Sequence, residues 1–188
     1  YRATDMQVHN DSLENYTVFS LWDTFRSTHP LYNLIERKKT ALFLNTFLNQ
    51  YQFGGQLPIW ELCANYTGCM IGYHSVPVIV DAYNKGITDF DVEKVYEAML
   101  HSAEQTHLGL ESYHKNGFIT ANDEPESISK TLEYAYDDWC IAQMAKDLEK
   151  EGDYIKFMER AQSYKNVFDP NTGFMRAKMN HSWFVAFD

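Results

Sequence analysis

The sequence is poor in cysteine, in basic residues and in alternating apolar–polar runs, and each shortage removes a class of protein. Three cysteines among 188 residues, Cys63, Cys69 and Cys140, make neither a paired framework nor a zinc-ligand spacing. They read as small core residues. Sixteen Lys and Arg stand against 26 Asp and Glu, for a net charge of −10. Without a basic cluster, that excess sets nucleic acid aside as a partner. The longest apolar run, Val76-Pro77-Val78-Ile79-Val80, is far too short to span a membrane. The seven histidines are scattered, with no His-x-x-x-His pair or other metal-ligand spacing. No N-terminal export pattern is visible, and the opening at Tyr1 reads as that of a mature or trimmed product.

What remains is globular. Hydrophobic residues make up 45 % and charged residues 22 %, enough for the core of one domain or of a piece of a larger one. Aromatic residues reach 15 %. A core absorbs many of them, and a cleft that stacks against flat ligand faces, sugars included, would use the rest.

Helical periodicity recurs along the chain. Thr88-Asp89-Phe90-Asp91 resembles a capping box ahead of Val92, Val95, Tyr96, Met99 and Ala103. A helix is predicted from Pro125 to about residue 150, ended by Gly152, with a buried stripe of Ile128, Leu132, Ala135, Trp139, Ala142 and Ala145. Another follows from Tyr154 and stops before Pro170. Upstream, a short helix over about 18–27 is stopped by Pro30. An apolar helix then runs from Leu31 to Gly54-Gly55, and residues 68–85 are helical with Pro77 in the first turn or at a kink. Asn116-Gly117 suits a hairpin turn, and Asp169-Pro170-Asn171-Thr172-Gly173 a second turn. About six helices with short connections predict an all-α protein of antiparallel helical hairpins, either a closed bundle or part of a larger ring.

Several motifs have ordinary structural explanations. Ser127-x-x-Lys130 lacks the companion elements of a serine acyl-enzyme and reads as a helix start. Asp169-x-Asn171-x-Gly173 lacks the spacing and closing Glu of a calcium loop. Asp137-Asp138 reads as solvated or hydrogen-bonded helix residues. The four sequons at Asn10, Asn15, Asn65 and Asn180, where about one or two arise by chance, do not establish glycosylation. His29 and His74 read as structural hydrogen-bonding residues.

Two stretches carry more chemistry. In Ser20-Leu21-Trp22-Asp23-Thr24-Phe25-Arg26, one helical turn holds a ring face, an acceptor and a forked donor, which together can grip a polyol. The alternative is an Asp23–Arg26 ion pair beside a core Trp22. The second stretch runs from Gly54 to His74 and is rich in Gly, Trp, Tyr and amides, as functional loops are. Within it, Glu61 beside Trp60 is either a carboxyl with a raised pKa, as a general acid needs, or an exposed loop residue.

These stretches resemble glycoside hydrolase family 92, the calcium-dependent exo-α-mannosidases. The phrases are Tyr16-Thr17-Val18-Phe19-Ser20-Leu21-Trp22-Asp23-Thr24-Phe25-Arg26, Leu57-Pro58-Ile59-Trp60-Glu61-Leu62 and Met70-Ile71-Gly72-Tyr73-His74-Ser75-Val76-Pro77. Ser129-Lys130-Thr131-Leu132-Glu133-Tyr134-Ala135-Tyr136-Asp137-Asp138 and Phe168-Asp169-Pro170 extend the likeness over essentially the whole chain. The resemblance implies an (α/α)6 toroid preceded by a β-sandwich, of which residues 1–188 supply the N-terminal half of the ring. The rest of the catalytic domain is then the chain's partner. It also implies inverting hydrolysis of α-mannoside glycans, α-1,2-linked ones foremost. Calcium would assist, with its ligands and the catalytic base beyond residue 188, so the fragment alone is expected to be inactive. Periplasmic or secreted placement follows by the same resemblance. Trp22, Asp23 and Arg26 would line the sugar pocket, with Trp60 and Tyr66 nearby.

One departure stands out. Where the family's general acid is a Glu before Thr, this chain has Asn65-Tyr66-Thr67. Three readings follow. Glu61 takes over as acid, the substrate is a mannosyl phosphate whose leaving group needs no proton, or the protein is a catalytically impaired carbohydrate binder.

Overall fold

The computed structural model describes residues 7–10, 12–63, 65–180 and 182–185. Among them lie eight α-helices and three two-residue β-hairpins, so the all-α reading holds. The chain divides into two compact units, residues 1–102 and 103–188.

The first unit opens with α1 (Leu21–Thr24), α2 (Thr28–Ile35) and α3 (Arg37–Gly54). Pro30 does not stop a helix. It occupies the first turn of α2, where its missing N–H leaves no hydrogen bond unmade. Thr40, Ala41, Leu44, Phe47 and Leu48 give α3 its buried stripe, and Gly55 ends it in the left-handed conformation at φ 81°. After β1 (Glu61–Leu62) and β2 (Asn65–Tyr66) comes α4 (Ser75–Asn84), shorter than predicted because residues 68–74 are not helical. Pro77 sits in its first turn, one of the two placements expected of it. In α5 (Val92–Ala103) the cap is Asp91 rather than Thr88: its carboxylate accepts the Lys94 N–H at 3.1 Å.

Polar groups lie inside this unit. Asn33 on α2 is fully buried and donates to Asp81 of α4 at 2.7 Å, while Lys85 reaches the same carboxylate at 2.6 Å. His29 is buried against Phe19, Tyr32, Phe43 and Phe47. Its Nδ1 has no hydrogen-bond partner among the described residues, so the expected hydrogen-bonding role is not seen at that atom.

In the second unit, α6 (Leu110–Asn116) ends at Gly117, φ 70°. Asn116-Gly117 is thus a helix terminus and not a hairpin turn. α7 (Ser127–Asp147) packs on α8 (Glu151–Arg160), which continues as a 3-10 helix, Ala161–Val167. Gly152 lies inside α8, not at the end of α7. Of the predicted stripe, Ala135, Ala142 and Ala145 are buried, but Trp139 is 43 % exposed. The buried face is wider than predicted and takes in Thr131, Tyr134, Ile141 and the polar Asp137-Asp138 pair. Asp138 accepts from Tyr113 at 2.8 Å and from Arg160 at 3.0 Å, and Arg160 also binds Glu104 at 2.8 Å. β3 (Phe168–Asp169) and β4 (Phe174–Met175) flank the predicted turn, and β5 (Lys178–Met179) pairs with β6 (Ser182–Trp183). Cys63 and Cys69 are exposed, and of the three cysteines only Cys140 is a core residue.

Two stability predictions follow from these buried groups. Arg160→Met strands the Asp138 carboxylate and should cost about 3–5 kcal/mol, read as a lower urea midpoint. Adding Asp138→Leu should restore most of that loss. Burial lowers the His29 pKa from 6.5 to about 4. The neutral ring is the folded form, so its stabilisation is complete above the ordinary value and is lost as pH falls from 6.5 toward 4, by up to about 3 kcal/mol. Thermal unfolding across that window should show the loss, and His29→Phe should remove it.

Candidate active site

The long loop after α3 is held by backbone pairing. Ser20 and Trp60 form a β-bridge, the Leu21 N–H donates to Ile59 at 3.0 Å, and the Glu61 N–H donates to Phe19 at 3.3 Å. The two stretches singled out in the sequence therefore lie side by side. Thr67 Oγ1 donates to the Trp60 carbonyl at 2.8 Å, and Ser75 at the start of α4 donates to the Pro58 carbonyl. Gly72, at φ 80°, leaves room for the His74 ring: a Cβ there would stand 2.2 Å from its Nε2. That ring stacks on Phe25 at 4.2 Å.

Glu61 and Tyr66 are direct cross-strand partners in the β1–β2 hairpin. Both line a cavity of about 820 Å³, whose wall also takes Gln50 and Asn49 from α3, Thr17 and Gln56. Trp22, Asp23, Arg26 and Trp60 are not on that wall. Asp23 instead accepts from Ser20 Oγ at 2.6 Å, and the Arg26 guanidinium lies 4.6 Å from the centre of the Phe25 ring. The predicted site residues thus fall into two groups, a carboxyl and a phenol on one cavity and the α1 cluster outside it.

Glu61 is not an exposed loop residue, being only 7 % exposed. Burial raises its pKa, opposed by hydrogen bonds from Gln50, from Thr17, and from the Phe19 and Val18 backbone. Gln50 Nε2 donates to Oε2, while Oε1 has no partner among the described residues. Val18 stands at φ 63°, a conformation that costs a β-branched residue of order 1 kcal/mol or more. Tyr66 is half-exposed. Burial raises its pKa too, Gln56 lowers it by a hydrogen bond, and Cys69 adds to the rise.

Thr17 and Gln56 lay inside the phrases singled out in the sequence but were given no role, and Gln50 was missed. Its signal was the amide pair Asn49-Gln50 in the last turns of α3, which looks like any polar helix end.

Elsewhere, Lys130 is buried and pairs with Glu124, so Ser127-x-x-Lys130 is a helix start and not a nucleophile pair. Asp169 accepts from Asn171 N–H at 2.9 Å and pairs with Arg176. Burial of that carboxyl is outweighed by these donors, and its pKa is lowered. Among the described residues no three His, Cys, Asp or Glu side chains gather to hold a metal ion.

The buried carboxyl leads to a measurable sign. A raised pKa in a folded acid destabilises the fold as pH rises above the ordinary carboxylate value, and not below it. Glu61→Gln should therefore unfold at the same or a higher temperature than the parent at pH 7, with the difference closing toward pH 4. A lower unfolding temperature at pH 7 would contradict the buried placement.

Comparison with known proteins gives the family of the chain. The glycosyl hydrolase family 92 catalytic domain matches residues 1–188. A family 92 α-mannosidase structure from Bacteroides thetaiotaomicron, solved also with mannoimidazole, superposes with a TM-score of 0.94 at 44 % identity, covering 100 % of this chain and 26 % of that one. A family 92 inverting mannosidase from the same species superposes at 0.87 and 38 % identity, over 93 % of this chain and 25 % of that one. An uncharacterized secreted glycosidase of Arthroderma benhamiae is 33 % identical over 160 residues, 74 % of this chain and 20 % of that protein. The chain therefore spans about a quarter or less of these relatives, and it belongs to glycosyl hydrolase family 92.

Proposed function

We propose that the complete protein releases terminal mannose from α-mannosides, α-1,2-linked ones among them, by an inverting mechanism in which Glu61 is the proton donor. The support is the pairing of family membership with a buried carboxyl, raised in pKa, on the wall of a cavity. Residues 1–188 are read as the N-terminal part of an (α/α)6 catalytic domain, completed by the rest of the same protein. In an inverting reaction the acid gives its proton to the leaving oxygen while water attacks from the opposite face. A carboxyl whose pKa is raised by burial suits that task better than an exposed one. Trp22, Asp23, Arg26 and Trp60 are read as sugar contacts nearby. Calcium, which the family resemblance implies, would take its ligands outside the described residues. Export from the cell is supported by the secreted description of the fungal relative.

A second reading rests on Tyr66. A phenol with a raised pKa keeps its proton but is a weak acid near neutrality. A mannosyl phosphate needs little help from an acid, because its leaving group is already stable as an anion. A third reading, a carbohydrate binder without turnover, has the same origin.

The test is mannose release by the full-length protein from an α-1,2-mannobioside and from a mannosyl phosphate, with and without a calcium chelator. Cleavage of the mannobioside that stops with chelator is expected, and Glu61→Gln should reduce it by about 10²–10⁴-fold. Cleavage of the phosphate alone would favour the second reading. Silence on both, with calorimetric binding retained, would leave only the binder.

A further inference from the structure

Helix α2 is built inside out. The residues it buries are polar: His29, set among aromatic rings, and Asn33, which donates to Asp81 of α4 at 2.7 Å. The residues it turns to the surface are aliphatic: Leu31, Leu34 and Ile35 are 50 %, 68 % and 64 % exposed. At about 100° per residue, positions 29 and 33 fall on one side of the helix and 31, 34 and 35 on the opposite side. Specific contacts fix this orientation. Arg37, at the start of α3, donates to the Asn33 carbonyl at 3.3 Å and to the Lys85 carbonyl at 2.8 Å, tying the end of α2 to α3 and to the end of α4. Rolling the helix over to bury its leucines would take Asn33 away from Asp81.

A helix on a water-facing surface shows the reverse pattern, apolar side chains inward and polar ones outward. Single exposed leucines are ordinary. Three large aliphatic side chains on one face, opposite a buried polar face, mark a surface that something covers. They fall far short of the roughly 800 Å² per partner that holds two separate chains together, so this face alone would not hold a second copy. A segment of the same polypeptide needs no such area, because the covalent link keeps it at a high effective concentration. The chain spans about a quarter or less of its family 92 relatives, so most of a protein of that length lies outside residues 1–188. We propose that Leu31, Leu34 and Ile35 form a docking face for an apolar segment of the same polypeptide outside residues 1–188. This rests on the reading of residues 1–188 as part of a longer catalytic protein, and on nothing about Glu61 or the reaction.

The experiment is hydroxyl-radical footprinting of the full-length protein, read by mass spectrometry at a concentration where light scattering reports a monomer. Leu34 and Ile35 should be oxidised several-fold more slowly than in a free peptide of residues 28–37. In the same protein, Leu34→Asp should lower the unfolding temperature by about 4 °C or more, whereas a water-facing position would move it by no more than about 2 °C. Free-peptide oxidation rates, or an unchanged unfolding temperature, overturn the docking face. Protection that appears only as rising concentration produces a dimer assigns the face to a second copy, and overturns the proposal too. If Leu34→Asp fails to fold, footprinting of the unaltered protein still decides. The mass of the purified protein tests the underlying reading separately: a polypeptide of about 188 residues would overturn that reading, whatever the footprint.

Discussion

The site depends on one short piece of backbone pairing. Residues 19–21 and 59–61 exchange two N–H to carbonyl hydrogen bonds around the Ser20–Trp60 bridge. A long loop carries many peptide groups that must find partners or water, and this pairing satisfies those at its near end. Thr67 and Ser75 satisfy the Trp60 and Pro58 carbonyls from the other side. With the loop pinned in this way, Glu61 cannot swing out to solvent. Its burial and its raised pKa follow from backbone hydrogen bonds made by its neighbours, and the side chain itself contributes little to holding the segment.

The same dependence on buried polar groups runs through both units. Asn33 meets Asp81 between α2 and α4, and Asp138 meets Tyr113 and Arg160 between the helices of the second unit. Apolar stripes at helical spacing can pack in several registers at similar cost. A buried carboxylate that needs a particular guanidinium or hydroxyl cannot, because the wrong register strands a charge. Helical proteins with many interchangeable Leu and Ala contacts gain uniqueness from such pairs more than they gain stability.

Helix content, the apolar face of α3, the Gly55 stop, the Asp169 turn and the family itself were legible in the residues. What failed shares a physical cause. Pro30 and Pro77 are the same residue in the same helical position, but only for Pro77 was the first-turn placement foreseen, because nothing local separates a helix that ends at Pro from one that begins there. The α7 stripe was right at Ala135, Ala142 and Ala145 and wrong at Trp139, because hydrophobic periodicity counts a Trp as inside and gives no sign that Asp137 and Asp138 are buried. Gly117 was read as a hairpin glycine, although φ near +70° serves a helix end equally well. At the site, the phrases around Glu61 and Tyr66 were visible, but their cross-strand register was not. Gln50 was silent because its hydrogen bond to Glu61 joins residues eleven apart in sequence.

Local rules are broken in a small region, and that clustering is itself informative. Val18 holds a left-handed backbone that Val disfavours, Glu61 places a carboxyl in the interior with one oxygen left over, and Tyr66 faces Glu61 across a two-residue ladder. The first two cost stability, the one through its backbone and the other through a buried oxygen without a partner among the described residues. Gly would serve the backbone at position 18, and Gln would serve the hydrogen bond at position 61. Sequences normally agree with their folds at every level, and concentrated disagreement marks places shaped by something other than folding. The three positions share one cavity wall, which makes that wall the place where the fold and the sequence disagree most.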